Sequence, residues 1–455
     1  MKKSIWLKNI SLSKKGQAKE LSSKFADVLI IGGGIAGMSV AYELMDQKLD
    51  VLLIDKSAVG LGATSFSTGK VTFAHGLIYQ QLCKEFGFAV AKKYLMAQSE
   101  AMKLVKKRVK DHTIACDFKR VPTYVFTAKE YNETKLNQEK VFYYKCNIKP
   151  TIENELPLSF PCKKALKINN QYEIQPYRYL MGLKAVLQKN HVRIHEYTKA
   201  YSFTEENGFY QVLTNQGIIR CKYLVVCTQY PFFFLPGLFF TKMDVEKGYL
   251  ISRTAKPVKD FMAISVETDP VQSIRFFEGN LIYSSFNHKI STGADSDQKY
   301  QEISQTSLKL FKGQKLSVWQ NQDVMTGDKL PYIGRVKDHL FVMTGFNKWG
   351  LTNATIGATV IRDLILQKKN KYSDLFDPNR KLNKNLLLDM IRHNASSMKN
   401  FAVGKAKFEK TCTHMGCGLC FNQTNDTYDC PCHGSQFTKE GKLIKGPATR
   451  NLNED

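Results

Sequence analysis

Residues 412–437, CTHMGCGLCFNQTNDTYDCPCHGSQF, hold five of the chain's eleven cysteines and set Cys412-x-His414 against Cys430-x-x-His433 across fifteen intervening residues. Two thiolates and two imidazoles in that order suit a [2Fe–2S] centre with unlike irons. Cys412 and Cys430 would hold one iron and His414 and His433 the other, which raises the reduction potential above that of an all-cysteine cluster. A tetrahedral zinc site could use the same four donors. Zinc leaves Cys417 and Cys432 without a role, together with Gly416 and Gly434, which let both loops turn tightly. Cys420 fits neither pattern.

A second stretch with chemical meaning lies near the amino terminus. Ala26–Ile31, ADVLII, is an apolar run of strand length, the kind buried on both faces of a parallel sheet. Gly32-Gly33-Gly34-Ile35-Ala36-Gly37 follows at once, with Gly32, Gly34 and Gly37 on the G-x-G-x-x-G template. A helix pattern continues through Met38, Ala41, Leu44 and Met45, and the apolar run Val51–Ile54 then ends in Asp55-Lys56. Strand, glycine turn, helix and acid in this order predict a dinucleotide site. The backbone can approach a pyrophosphate, the helix amino end favours its charge, and Asp55 can accept from ribose hydroxyls, with Lys56 beside it in the cofactor-binding set.

Both stretches resemble known families. The boxes C-T-H-M-G-C and C-P-C-H-G-S resemble those of Rieske [2Fe-2S] proteins. In the high-potential members of that family the second cysteine of each box forms a disulfide, which the resemblance assigns here to Cys417 and Cys432; Cys420 is then either a plain buried thiol or a competitor of Cys417 for Cys432. A Rieske domain also has several strands before its first box. Residues 381–411, with the helix-like run NLLLDMIRHNA, are too short and too helical to supply them. The expectation is a shortened β-type module that leans on the flavoprotein portion or on a second subunit for its missing strands and gains folding energy from the cluster.

Towards the amino end, GLGATSFSTGKVT at 60–72 resembles the loop after the second strand in FAD-dependent oxidoreductases of the D-amino-acid-oxidase-like (DAO) family. The resemblance implies Gly62, Ala63, Thr64 and Ser65 beside the pyrophosphate, and Thr68, Gly69 and Lys70 nearer the flavin. Gln175-Pro176, YLVVCT ending at Thr228, DKLPYIG at 328–334 and MTGFNKWGLT at 343–352 resemble later family segments in the same order. In that arrangement Gly345 and Gly350 make a turn into a helix. Its amino end, around Leu351 and Thr352, would favour negative charge on the ring.

The family resemblance spans roughly residues 25–380 and implies an α/β (α+β) chain. A polar lead-in over 1–24 precedes a Rossmann-like FAD-binding domain over 25–380, whose insertions at about 75–165 and 230–325 build a β-rich substrate domain. A connector over 381–405 and the Rieske module over 406–455 complete it. Residues 94–110 read as an amphipathic helix, and the residues from Ser273 onward as alternating strands with a turn at Gly279-Asn280. Lys70, His288 and Lys289 are the catalytic candidates, because a basic residue near the flavin promotes oxygen reaction in some relatives. A structural role is the plainer reading of each, and of Arg275. Trp319–Met325, WQNQDVM, lacks the carboxylate-binding arginine found there in amino-acid oxidases of the family, which weakens an α-amino-acid substrate.

At 455 residues the chain should form two or three units. Its net charge of +25 comes from lysines scattered along the whole length, a solvated surface that would also steer an acidic electron partner. No nucleic-acid fold motif accompanies the charge, so neither nucleic-acid binding nor RNA modification is expected. The first residues are basic without an apolar signal region, and no run reaches membrane-span length, which predicts a cytoplasmic protein. A disulfide is unusual in that compartment. The expected function is oxidation of an amine or amino-acid-like substrate by hydride transfer to FAD. Electrons would then pass one at a time to the Rieske cluster and on to a soluble partner, as in a dehydrogenase rather than an oxidase. The alternative is a redox-sensing or electron-transfer flavo-iron-sulfur protein with no small-molecule substrate.

Overall fold

The computed structural model describes residues 3–8, 10, 23–231, 236–237, 239–256, 259–267, 269–292, 295–381 and 410–452. The apolar run at the amino end becomes the strand Phe25–Ile31 (β1), followed by the helix Ile35–Leu44 (α1) and the strand Val51–Ile54 (β2). β1 pairs in parallel with β2, from Val28↔Val51 to Ile31↔Ile54, and on its other side with the strand Gly217–Gln229. Valine, isoleucine and leucine fill this run because helices or loops cover both faces of a parallel sheet. The sheet has eight strands, and its path runs Tyr332–Lys337, Leu340–Thr344, Gly217–Gln229, β1, β2, Arg193–His195. α1 and the sixteen-residue helix Gly350–Ile365 bury Met38, Val40, Ala354, Ala358 and Ile361 in one core with Val28 and Ile30.

A second sheet of nine strands stands beside it. Its longest pairing joins Met243–Thr254 to Lys315–Thr326, in antiparallel register from Met243↔Thr326 to Ser252↔Ser317. Strands Lys119–Thr127 and Lys164–Glu173 carry the sheet to the short strand Lys70–Val71, directly after the loop at 60–69. This layer is therefore assembled from segments far apart in sequence. The amphipathic pattern at 94–110 lies inside the helix Phe88–Asp111, which buries Tyr94, Leu95, Gln98, Met102 and Val105.

The third sheet is a four-stranded antiparallel meander, Cys420–Asn422, Thr427–Asp429, Gln436–Thr438 and Leu443–Lys445. All its strands are three residues long and hold a small core around Leu419, Phe437 and Ala448. The helix-like run expected at 385–395 lies outside the described residues. The lead-in differs from its polar reading. Ile5–Leu7 forms a short 3₁₀ turn whose Trp6 and Leu7 are buried against Phe66, Phe277 and Trp319. No described helix is long and apolar enough to cross a membrane.

Candidate functional site

The glycine turn brings three separate segments together. Gly32 has φ +115°, and a Cβ on it would stand 2.6 Å from the Cys227 carbonyl oxygen; one on Gly37 would stand 2.0 Å from the Gly32 oxygen. Side chains at these two positions would push β1, α1 and the strand Gly217–Gln229 apart. Gly34 caps α1 without a side-chain hydrogen bond, and the space in front of it is open up to Thr64 Oγ1 at 3.5 Å. Thr64 Oγ1 accepts from the Ile35 amide at 3.1 Å, so the loop at 60–69 begins against the amino end of α1. A Cβ at Gly62 would meet nothing within 4 Å. These glycines leave a backbone-lined cradle at a helix amino end, which fits a pyrophosphate.

Asp55 Oδ2 accepts from the Gly33 amide at 2.6 Å and Oδ1 from the Ser57 amide at 2.8 Å. Burial raises its pKa, and these donors oppose the rise. Lys56 departs from a nucleotide role, because its ammonium donates to the Ile444 carbonyl at 2.8 Å, on the far module. Ala63–Phe66 forms a 3₁₀ turn, and Thr68-Gly69 then leads into Lys70. Thr228 Oγ1 donates to the Tyr230 carbonyl at 3.0 Å. Gly345 has φ +70° and packs on Thr326, while Gly350, Leu351 and Thr352 open the helix Gly350–Ile365, which no side chain caps. Trp349, at that helix's amino end, stacks on His75 with ring centroids 4.0 Å apart. Burial pushes His75 down to about 3, so its imidazole is neutral.

The two cysteine–histidine boxes fold alike. In the first, the Cys412 amide donates to Cys417 O at 2.8 Å and the Gly416 amide to Cys412 O at 2.8 Å; in the second, the Cys430 amide donates to Ser435 O at 2.8 Å and the Gly434 amide to Cys430 O at 3.1 Å. Matched turns bring the expected ligands together in two pairs, histidine with histidine and cysteine with cysteine. The His414 and His433 rings lie 5.2 Å apart and nearly perpendicular. Cys412 and Cys430 are buried and hydrogen-bonded to each other, which lowers the Cys412 thiol, helped by the amides of His414 and Met415. Burial pushes His414 down to about 4 and keeps it neutral. Two buried thiols and two imidazoles, converging from loops whose amides favour thiolate, fit the iron cluster. Cys417 and Cys432 form a disulfide joining the loops, and Cys420 remains a free thiol.

The module is docked on the larger body. Lys247 Nζ donates to Asp429 Oδ2 at 2.8 Å, with both side chains almost fully buried. Asp429 also accepts from Thr427 Oγ1 at 2.9 Å, Gln436 Nε2 at 3.0 Å and Asn422 Nδ2 at 3.2 Å. Burial alone would raise its carboxyl, but Lys247 and these donors outweigh that and lower it. Asp297 accepts from the amides of Gln423 at 2.9 Å and Thr424 at 2.6 Å. Gly434 comes so close that a Cβ there would stand 3.2 Å from Gln322 Oε1 and 3.3 Å from Val245 Cγ1. The His433 ring lies 5.9 Å from the Tyr230 ring.

The catalytic candidates are not brought together. Lys70 stands on the short strand at one end of the nine-stranded sheet, and its buried Nζ reaches interior strands, donating to Ala263 O at 2.7 Å and Ser273 Oγ at 2.5 Å. Burial, reinforced by Arg275, lowers its pKa to about 7. His288 lines a cavity of about 500 Å³ between module and sheet, beside Lys247 and Cys430. Lys289 pairs with Asp244 and is half exposed. Arg275 is fully buried and ion-paired to Glu173 at 3.0 Å. Sequence reading missed Trp6, Tyr230, Lys247 and Asp429. Trp6 carried one usable signal, a large aromatic residue inside a polar, basic stretch.

Residues 27–364 match the family model described as DAO, FAD dependent oxidoreductase, and residues 403–454 match that of the Rieske [2Fe-2S] domain. The chain is 30% identical over 475 residues to a Bacillus subtilis protein named as a Rieske 2Fe-2S iron-sulfur protein, YhfW, covering 94% of this chain and 93% of that one. It is 21% identical over 359 residues to gamma-glutamylputrescine oxidoreductase of Escherichia coli, covering 74% and 83% of the two chains. In fold it is similar to glycine oxidase from Geobacillus kaustophilus, with TM-score 0.64 at 16% identity over 79% of this chain and 100% of that one.

Proposed function

Since the chain belongs to the DAO family of FAD-dependent oxidoreductases and ends in a Rieske [2Fe-2S] domain, we propose that it is a dehydrogenase of a small amine or amino-acid-like substrate, with electrons leaving through the cluster. Bound FAD accepts two electrons as hydride, and a Rieske cluster passes them on singly at a potential of roughly −150 to +300 mV.

The docking of the second cysteine–histidine box beside the dinucleotide sheet carries this reading. Thr344, just before the flavin turn at Gly345, donates to the Gln229 carbonyl; Tyr230 follows in the chain, and its ring lies 5.9 Å from His433. Three residues thus connect the turn to a cluster ligand through contacts in a buried region. The protein's part is to fix this approach, to hold the two imidazoles and the buried thiols ready for iron, and to keep a helix amino end without a side-chain cap beside the ring. The missing arginine in Trp319–Met325 supports an amine over an α-amino acid. Hydride loss from a neutral amine needs no dedicated protein base.

The test is anaerobic addition of a panel of primary and secondary amines and N-substituted amino acids to purified protein. The expected result is bleaching of the flavin band followed by a rhombic EPR signal from the reduced cluster. Bleaching of the flavin with a cluster that stays oxidised on prolonged anaerobic incubation would defeat the wiring. Full reduction of both groups by dithionite but by no member of the panel would favour the redox-sensing alternative.

A further inference from the structure

We infer that the amino-terminal segment Ser4–Leu7 is a working part of the flavin site, a strap that positions the loop at 60–69. Four consecutive backbone carbonyls of that loop are each taken by a side chain. Ser4 Oγ donates to Ser65 O at 2.6 Å, Trp319 Nε1 to Phe66 O at 3.0 Å, Trp6 Nε1 to Ser67 O at 2.8 Å and Arg275 Nη1 to Thr68 O at 2.5 Å.

The geometry explains why so many donors are needed. Ala63–Phe66 is a single 3₁₀ turn, and the carbonyls at its end have no further helix to receive them. They point into a buried region, where an unpaired carbonyl is costly. The other end of the turn is fixed by Thr64 Oγ1 on the Ile35 amide at 3.1 Å. Holding the carbonyl end therefore fixes where Gly62–Ser65 stand relative to the amino end of α1. Two of the four donors come from Ser4 and Trp6. Both are buried, and the Trp6 ring packs against Phe277 at 5.5 Å and under the Arg275 guanidinium at 5.1 Å. Lys3 is tied down as well, its carbonyl accepting from Ser317 Oγ at 2.6 Å. Ser4 and Trp6 act through the loop, so they are positioning residues.

This inference rests on FAD binding over the loop, and the experiment separates the two. Full-length protein carrying Ser4→Ala and Trp6→Phe keeps the aromatic packing and loses both donors. FAD retained after gel filtration, the Kd for FAD added back to deflavinated protein and the visible circular dichroism of the bound flavin would be compared with wild type. Trp6→Phe alone should weaken FAD about threefold to tenfold, the worth of one buried hydrogen bond, and the double variant more than tenfold. The flavin dichroism should change, while cluster content and its EPR spectrum stay as in wild type. A double variant with Kd within about twofold of wild type and unchanged dichroism would overturn the strap, since one buried hydrogen bond is worth more than that. Loss of flavin and cluster together would also overturn it, because the segment would then be a general staple. Wild-type protein that binds no FAD would refute the cofactor reading itself.

Discussion

Lys247 and Asp429 show what a single residue pair does at the junction. Their side chains are 6% and 11% exposed, and Asp429 precedes Cys430, one of the four proposed cluster ligands, in the chain. Removing one partner leaves a buried charge without its counterpart, which costs about 3–5 kcal/mol. Lys247→Met should therefore lower the stability of the docked module by that order in denaturant titrations. Lys247→Met with Asp429→Leu should cost less than the single change, because no charge is left alone. Lys70 gives a second residue-scale expectation, about pH. Burial lowers its folded pKa to about 7, so between there and the ordinary lysine value the unfolded chain binds more protons than the folded one. Stability then rises with pH across that window. Lys56 and Lys445, lowered by burial to about 8 and about 7, act in the same sense, so Lys70→Met should make this rise shallower, which thermal melts between about pH 7 and 10 would detect.

At the scale of elements, the glycine turn is one unit with the strands and helix it joins. Gly37 sits where α1 crosses the Gly32 carbonyl, and an added Cβ would come within 2.0 Å of that oxygen. Gly37→Ala must push α1 away from the turn, moving the amide groups that make up the cradle. FAD should be lost from the purified variant, seen as a missing flavin band, while the Rieske EPR signal persists. The cluster loops behave differently because each closes on itself through its own backbone hydrogen bonds and the disulfide joins the pair. Their geometry depends less on the rest of the chain than that of the loop at 60–69, whose carbonyls need donors from three distant segments.

At the scale of the whole molecule, the module is held by a few polar anchors spread over a broad contact. Asp297 grips two amides of the turn at Gln423-Thr424, Lys56 reaches the strand Leu443–Lys445, and Lys247 binds Asp429. If electrons cross between the halves, their rate depends on these anchors and not on the flavin site. Asp297→Ala combined with Lys247→Met should leave substrate reduction of the flavin unchanged. Stopped-flow cluster reduction should slow at least tenfold. Equal slowing of both steps would mean that the anchors support the flavin site as well.

The sequence by itself determined the families, both cofactors and the positions of the local turns. Those features depend on residues a few positions apart: glycines after an apolar run, or two cysteine–histidine boxes, each able to shape its own backbone. The sequence also led to the expectation of a shortened module, resting on residues 381–411, most of which lie outside the described ones. The sequence did not show Trp6 as part of the flavin site, because the Ser67 carbonyl that Trp6 meets lies about sixty residues away and no local pattern records it. It took Lys70, His288 and Lys289 as candidates for a basic residue near the flavin, and the fold ties Lys70 to Ala263 and Ser273, sets His288 in the cavity beside Lys247 and pairs Lys289 with Asp244. Lys56 read as a nucleotide neighbour until the fold brought Ile444 within reach. Only the tertiary structure could decide these points, because buried donors and charges take their partners from whatever segments the packing brings beside them.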